Sequence, residues 1–147
     1  EKRFAEILRA LESFRDISII FTYPNADPDG QIIIEMILQF VARHPDRTKA
    51  YASLGQRLYF SALHHMDGVI GNSSSGIIEA ASFKLPVVNI GNRQKGRICS
   101  DNVIHSNECL DYESAIKHII SLSDNKNLLN SNSEIYNLKE NNIEFNC

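Results

Sequence analysis

Apolar positions switch between two spacings along this chain. Phe4, Ile7, Leu8 and Leu11 recur at helical intervals and mark one face of an opening amphipathic helix. Residues 17–23 (ISIIFTY) then form a continuous apolar run, the pattern of a parallel strand buried on both faces, and Pro24 ends it. The loop 25–30 (NADPDG) is rich in turn formers. Asp29 is placed to cap a helix over 31–43, whose inward positions are Ile33, Ile34, Ile37, Leu38 and Val41. After a polar connector at 44–49, a short strand at 49–52 leads through Leu54 and Gly55 into a helix near 57–66. A strand at 68–71, a helix at 76–83, a strand at 87–90, a glycine-bounded loop at 91–97, a strand at 103–105 and a helix at 112–122 follow. From 123 onward the periodicity fades. The segment 123–147 is rich in Asn and Ser, carries only a weak helical signal at 134–138, and is expected to be weakly helical or irregular.

Helix and strand patterns in strict alternation, joined by short loops, predict an α/β domain over 1–122 with a doubly wound parallel sheet. In such a sheet ligands sit outside the carboxyl ends of the strands. The four most polar loops, NADPDG, SLGQ, NSSSG and GNRQKGR, each follow a predicted strand, so one rim should carry them all.

Composition narrows what that rim can bind. With 147 residues, 43% of them apolar, the chain can fill one hydrophobic core. Its 18 acidic and 15 basic residues give a net charge of −3, without the positive excess of a nucleic-acid binder. An anion site must therefore be built locally. No apolar run reaches the length of a membrane span, and residues 1–14 lack a signal peptide's apolar centre, so a cytoplasmic location is expected. Cys99, Cys109 and Cys147 are odd in number and lack C-x-x-C spacing, which argues against a disulfide framework and a structural zinc site. They read as reduced thiols, and neither metal nor cofactor is expected.

The strongest chemical signal is GNSSSGIIE at 71–79. Ser73, Ser74 and Ser75 stand between a strand and a helix, where unpaired N–H groups and the helix dipole attract phosphate. A serine here could serve only as a helix cap; three in a row between Gly71 and Gly76 favour an anion cradle. Glu79 could close a capping box. Alternatively its carboxylate could accept hydrogen bonds from two neighbouring hydroxyls, as a ribose presents. Arg93, Lys95 and Arg97 place three positive charges within five residues of an acidic chain. Arg93, nearest the strand end, is the best bidentate phosphate donor among them. The spacing around this loop is not a Walker A motif, since Arg97-Ile98 stands where Lys-Ser/Thr is required.

At the first strand's end, Asn25 or Asp27 faces the cleft. The DPDG run is not a calcium loop, because Gly30 comes too early and no correctly placed bidentate Glu follows. His64 and His65 are adjacent on a helix and cannot pair on a metal; one should be exposed and the other packed. Tyr59 and Phe60 could offer a ring to a base or belong to the core.

The run VIGNSSSGIIEAASFKLPVVNIGNRQKGR, with TYPNADPDG upstream, resembles the hydrolysing UDP-N-acetylglucosamine 2-epimerases of sialic- and nonulosonic-acid biosynthesis, at lower density over 1–122. The resemblance implies the C-terminal, Rossmann-like domain of a two-domain GT-B-type enzyme whose N-terminal domain lies outside this sequence. It implies that Ser73, Ser74 and Arg93 contact the diphosphate and Glu79 the ribose. It further places uracil along Leu54 to Tyr59, and Asn25 and Asp27 on the cleft. Arg93 would assist UDP departure; no general base is assigned. By itself the fragment is expected to bind a UDP-sugar without turning it over, and oligomerisation of the full-length enzyme stays open. The segment 123–147 lacks the family's Asn-Pro-Tyr-Gly motif, and Glu35 and Leu38 stand where animal members carry regulatory arginines. The alternatives are the donor domain of a GT-B glycosyltransferase and a noncatalytic UDP-sugar-binding domain.

Overall fold

The computed structural model describes residues 2–24, 27–91, 93–94, 96, 101–106, 111–130 and 141–146; for 75–77, 106, 123–130 and 141–146 only the backbone is described. In chain order the elements are α1 (Lys2–Ser13), β1 (Ile17–Thr22), α2 (Pro28–Arg43), β2 (Thr48–Tyr51), α3 (Gly55–His65) and β3 (Gly68–Gly71). They continue with α4 (Ser74–Ser82), β4 (Val87–Ile90), β5 (Val103–Ser106), α5 (Tyr112–Asn130) and β6 (Asn141–Asn146). The six strands form one sheet in the order β2-β1-β6-β3-β4-β5. Every pairing is parallel.

Alternation along the strands sends apolar side chains to both faces. Ile17, Ile19 and Phe21 of β1, with Ile70 and Val88, pack under α1, α2 and α5 through Leu8, Leu11, Ile37, Phe40, Ile116 and Ile119. On the other face Val69 and Val87 meet Leu63 of α3, Met66 just beyond it, Ala80 of α4 and Leu85. Helices on both faces make the sheet doubly wound, as the alternating pattern predicts. Phe21 and Phe40 meet edge to face with ring centroids 5.7 Å apart. Each buried ring contributes on the order of 1.5–3 kcal/mol. Arg47 stitches the lower edge: its guanidinium donates to the carbonyls of Leu11 (3.3 Å) and Ile17 (3.5 Å) and lies 5.7 Å from the Phe40 centroid. Burial pushes its pKa below the ordinary value, and the nearby Glu12 carboxylate opposes that shift. Among the described residues, no helix is long and apolar enough to cross a membrane.

Several boundaries differ from the sequence expectation for local reasons. Helix α2 begins at Pro28, because proline's fixed φ and missing N–H suit the first helical position, and Asp27 rather than Asp29 caps it. Its buried face is centred on Ile37 and Phe40, which leaves Leu38, about 100° round the helix from Ile37, exposed instead of inward. His64 and His65 are both exposed, with edge-on rings 5.1 Å apart, so neither packs inward. Helix α5 runs on to Asn130, eight residues past 122, and β6 stands where 123–147 had promised no strand. The weak helical signal at 134–138 and the three cysteines lie outside the described residues.

Helix α4 ends in a Schellman motif. The amide of Leu85 donates to the carbonyl of Ala80 (3.0 Å) and that of Lys84 to Ala81 (3.0 Å), turning the chain into β4. Lys84 adopts φ 55° to do so, a left-handed conformation costly for a residue with a Cβ. Lys84→Gly should therefore raise stability by about 0.5–1 kcal/mol, read as a higher urea midpoint at unchanged m-value. Gly68 has the opposite logic, since a Cβ there would run into the Ile119 side chain and lie 3.2 Å from the Pro86 carbonyl. Gly68→Ala should cost about 1–3 kcal/mol, and a double-mutant cycle with Ile119→Ala should be non-additive.

Candidate functional site

Because all strands are parallel and in register, their carboxyl ends form one edge. Thr22 is level with Tyr51 and Asn146, Asn146 with Gly71, and Ile90 with Ser106. The four polar loops leave from this edge. Strand β3 is buried along its whole length, and its GVIG sequence delivers Asn72 and Ser73 straight into α4. The helix starts at Ser74, two residues earlier than the glycine at 76 suggested. Serine tolerates a first-turn position, and the buried strand end leaves little room for a longer loop. Ser73 therefore stands at the position before the helix and Ser74 opens it, both half-buried. This is the geometry in which backbone N–H groups and hydroxyls point at an anion.

The earlier start changes the meaning of Glu79. A capping box requires the carboxylate at the third helical position, whereas Glu79 is the sixth residue of Ser74–Ser82. Its sequence position is therefore not explained by capping. It is half-buried on α4, five residues after Ser74 and so more than one turn along the helix.

Strand β4 supplies the neighbouring loop. Gly91 turns the chain with φ 74°, and Arg93 follows in an exposed turn. Gln94, next in sequence, is only 3% exposed and donates through Nε2 to the Asn72 carbonyl at 2.8 Å. One hydrogen bond thus ties the residue after Arg93 to the residue before Ser73. Below it Asn89, 1% exposed, donates to the Gly91 carbonyl (3.4 Å) and lies 3.1 Å from Nδ1 of His105 on β5. The amide oxygens of Asn72, Asn89 and Gln94 are buried and accept no hydrogen bond among the described residues.

Other expected residues lie farther along the rim. Asp27 leaves from β1, two strands from β3, about 10 Å away at the usual strand spacing. One of its carboxylate oxygens accepts from the Gly30 amide at 2.7 Å. Leu54 precedes α3 without a side-chain capping bond, and Tyr59 packs half-buried against the cluster that includes Ala80 of α4. Helix α3 thereby shares a face with α4, and both open on the same edge. Asn25, Lys95 and Arg97 lie outside the described residues.

Three participants escaped sequence reading. Gln94 is hidden between two cations in an apparently solvated loop. Asn89 could have been noticed as a lone polar residue in the strand VVNI. Arg3 had no signal: it belongs to α1, yet a Cβ on Gly91 would lie 3.7 Å from its Nη1, so α1 brings another guanidinium to the end of β4.

A family profile described as UDP-N-acetylglucosamine 2-epimerase matches residues 1–140. A GDP/UDP-N,N'-diacetylbacillosamine 2-epimerase (hydrolyzing) of Campylobacter jejuni is 37% identical over 121 residues, covering 82% of this chain and 31% of the relative. A UDP-N,N'-diacetylbacillosamine 2-epimerase (hydrolyzing) of Legionella pneumophila is 46% identical over 89 residues, covering 60% and 23%. A UDP-N-acetylglucosamine 2-epimerase of Neisseria meningitidis serogroup B is 32% identical over 109 residues, covering 74% and 27%. The chain thus spans less than a third of the length of these relatives.

The cap can be separated from the cleft. Asp27→Asn keeps a capping oxygen and should leave stability within a few tenths of a kcal/mol, whereas Asp27→Ala should cost about 1 kcal/mol. Paired denaturant titrations check this, and equal losses would remove the capping role.

Proposed function

Since the chain belongs to the UDP-N-acetylglucosamine 2-epimerase family, we propose that it is the nucleotide-holding part of a hydrolysing 2-epimerase acting on a UDP-linked 2-acetamido sugar. The observation that carries this reading is the β3–α4 junction: Ser73 and Ser74 at the start of a buried-strand-to-helix turn, with the Arg93 loop fastened beside them by Gln94. In this reading the diphosphate lies against Ser73, Ser74 and Arg93. The ribose hydroxyls reach Glu79, and the uracil extends toward Leu54 and Tyr59.

The reaction is an elimination followed by a hydration. A base removes the proton from sugar C2 while the C1–O bond breaks, releasing UDP and a C1–C2 double bond. Water then adds across that bond, its oxygen to C1 and a proton to the opposite face of C2. Bond breaking places negative charge on the β-phosphate, where donors fixed beforehand by the fold stabilise the transition state more than the bound substrate. This chain supplies the leaving-group side of that chemistry, and no general base for C2 is assigned to it. Neutral serines and a helix end suit the task, because they hold phosphate in a chain whose net charge is −3.

The similarity to relatives named for both N-acetylglucosamine and diacetylbacillosamine substrates supports the class of sugar rather than one member. Calorimetry with UDP and UMP tests the site. UDP should bind more tightly than UMP. Ser74→Ala and Arg93→Ala should each weaken UDP by about tenfold, the effect of roughly 1.4 kcal/mol, and UMP by less. Glu79→Ala should weaken both equally. If UDP fails to bind, or all three variants bind like the parent, the assignment is wrong.

A further inference from the structure

Resting on that reading, we propose that Gln94 is a positioning residue for the diphosphate: it locks the β4 loop onto the β3–α4 turn so that Arg93 and the serines act on the same phosphates. Glutamine flanked by Arg93 and Lys95 belongs, on sequence, to a solvated loop. Instead Gln94 is 3% exposed and spends its amide N–H on the backbone carbonyl of Asn72 at 2.8 Å. That carbonyl belongs to the residue immediately before Ser73. A hydrogen bond at this place fixes the height of the serine turn relative to the arginine loop, two segments 22 residues apart in sequence.

The geometry around the bond has a cost that structure alone does not repay. Among the described residues Gln94 Oε1 and Asn72 Oδ1 are both buried without a donor, and a buried acceptor left unpaired is unfavourable. An aliphatic side chain of similar volume would avoid that cost while filling the same space. What it could not do is hold the Asn72 carbonyl. The amide thus keeps one bond, to the Asn72 carbonyl, at the expense of its own unpaired oxygen, and that one bond joins the two loops that the proposed reading turns toward the phosphates. Preorganisation of this kind matters because charge stabilisation depends on donors being in place before charge develops.

The test uses Gln94→Leu, which keeps the volume and removes the donor, and Gln94→Ala as a second variant. Backbone hydrogen exchange without ligand should show faster exchange at the described amides of 72–74 and 93–94 in Gln94→Leu, with β1 and β4 unchanged. Calorimetry should show UDP affinity falling about tenfold and UMP affinity less than twofold. In an Arg93→Ala background the same substitution should cost much less, because the residue it positions is gone. Unchanged exchange in both loops would overturn the proposal. So would an equal loss for UDP and UMP, or a full additional loss in the Arg93→Ala background. Should the parent chain fail to bind UDP while exchange responds as expected, the nucleotide assignment fails and the loop-locking role stands; the reverse pattern retires Gln94 alone.

Discussion

The sheet is continuous only because β6 enters it between β1 and β3. Without those backbone hydrogen bonds, β2-β1 and β3-β4-β5 would be two separate ribbons, each with an unpaired inner edge. The two halves otherwise meet through helices: α1, α2 and α5 on one face, and α3 crossing between them on the other. Everything at the rim inherits its relative height from this central strand, since Thr22 and Gly71 are level with each other only through Asn146. Backbone pairing on both sides compensates for a sequence that would not choose the position. Central parallel strands are ordinarily apolar runs, and the neighbours read ISIIFT and GVIG, whereas β6 reads NNIEFN.

That contrast explains what the sequence could and could not reveal. Where structure follows from local periodicity, as in α1, β1 and β4, the pattern of apolar residues is sufficient. Proline and glycine grammar also reads well once weighted correctly: Pro28 moved the start of α2 and made Asp27 the cap, through nothing more than the geometry of its ring. Strand β6 has no such local signature. Its six residues include three asparagines and Glu144, and only partners far away in sequence, on β1 and β3, make it a strand. Gln94 is the same problem on the scale of one side chain, because its burial depends on a loop folding back onto Asn72. The strand-to-helix junction at Ser73 and Ser74 was legible because a buried apolar run followed at once by small polar residues is itself a local pattern.

On the proposed reading, an acidic chain would hold a doubly charged anion with neutral donors at the α4 start, and guanidinium groups reach the same rim from two directions. Arg93 comes from the loop after β4, and Arg3 from the helix that precedes β1. Because Arg3 and Arg93 come from elements far apart in sequence, this edge exists as a unit only in the folded sheet. Loss of the central strand would disperse donors that no single segment contains.

Strand β6 has one more consequence, which concerns delivery. Its carboxyl end emerges level with Thr22 and Gly71, at the strand reversal where a doubly wound sheet receives its ligand. A segment joined beyond Asn146 by a short flexible link is tethered at the mouth of the cleft, at an effective concentration on the order of millimolar. At that concentration a tethered group whose own Kd for the cleft is below about a millimolar would occupy it most of the time. The same tether could carry a reporter group into the cleft, making this end of the chain the natural place from which to watch the site fill.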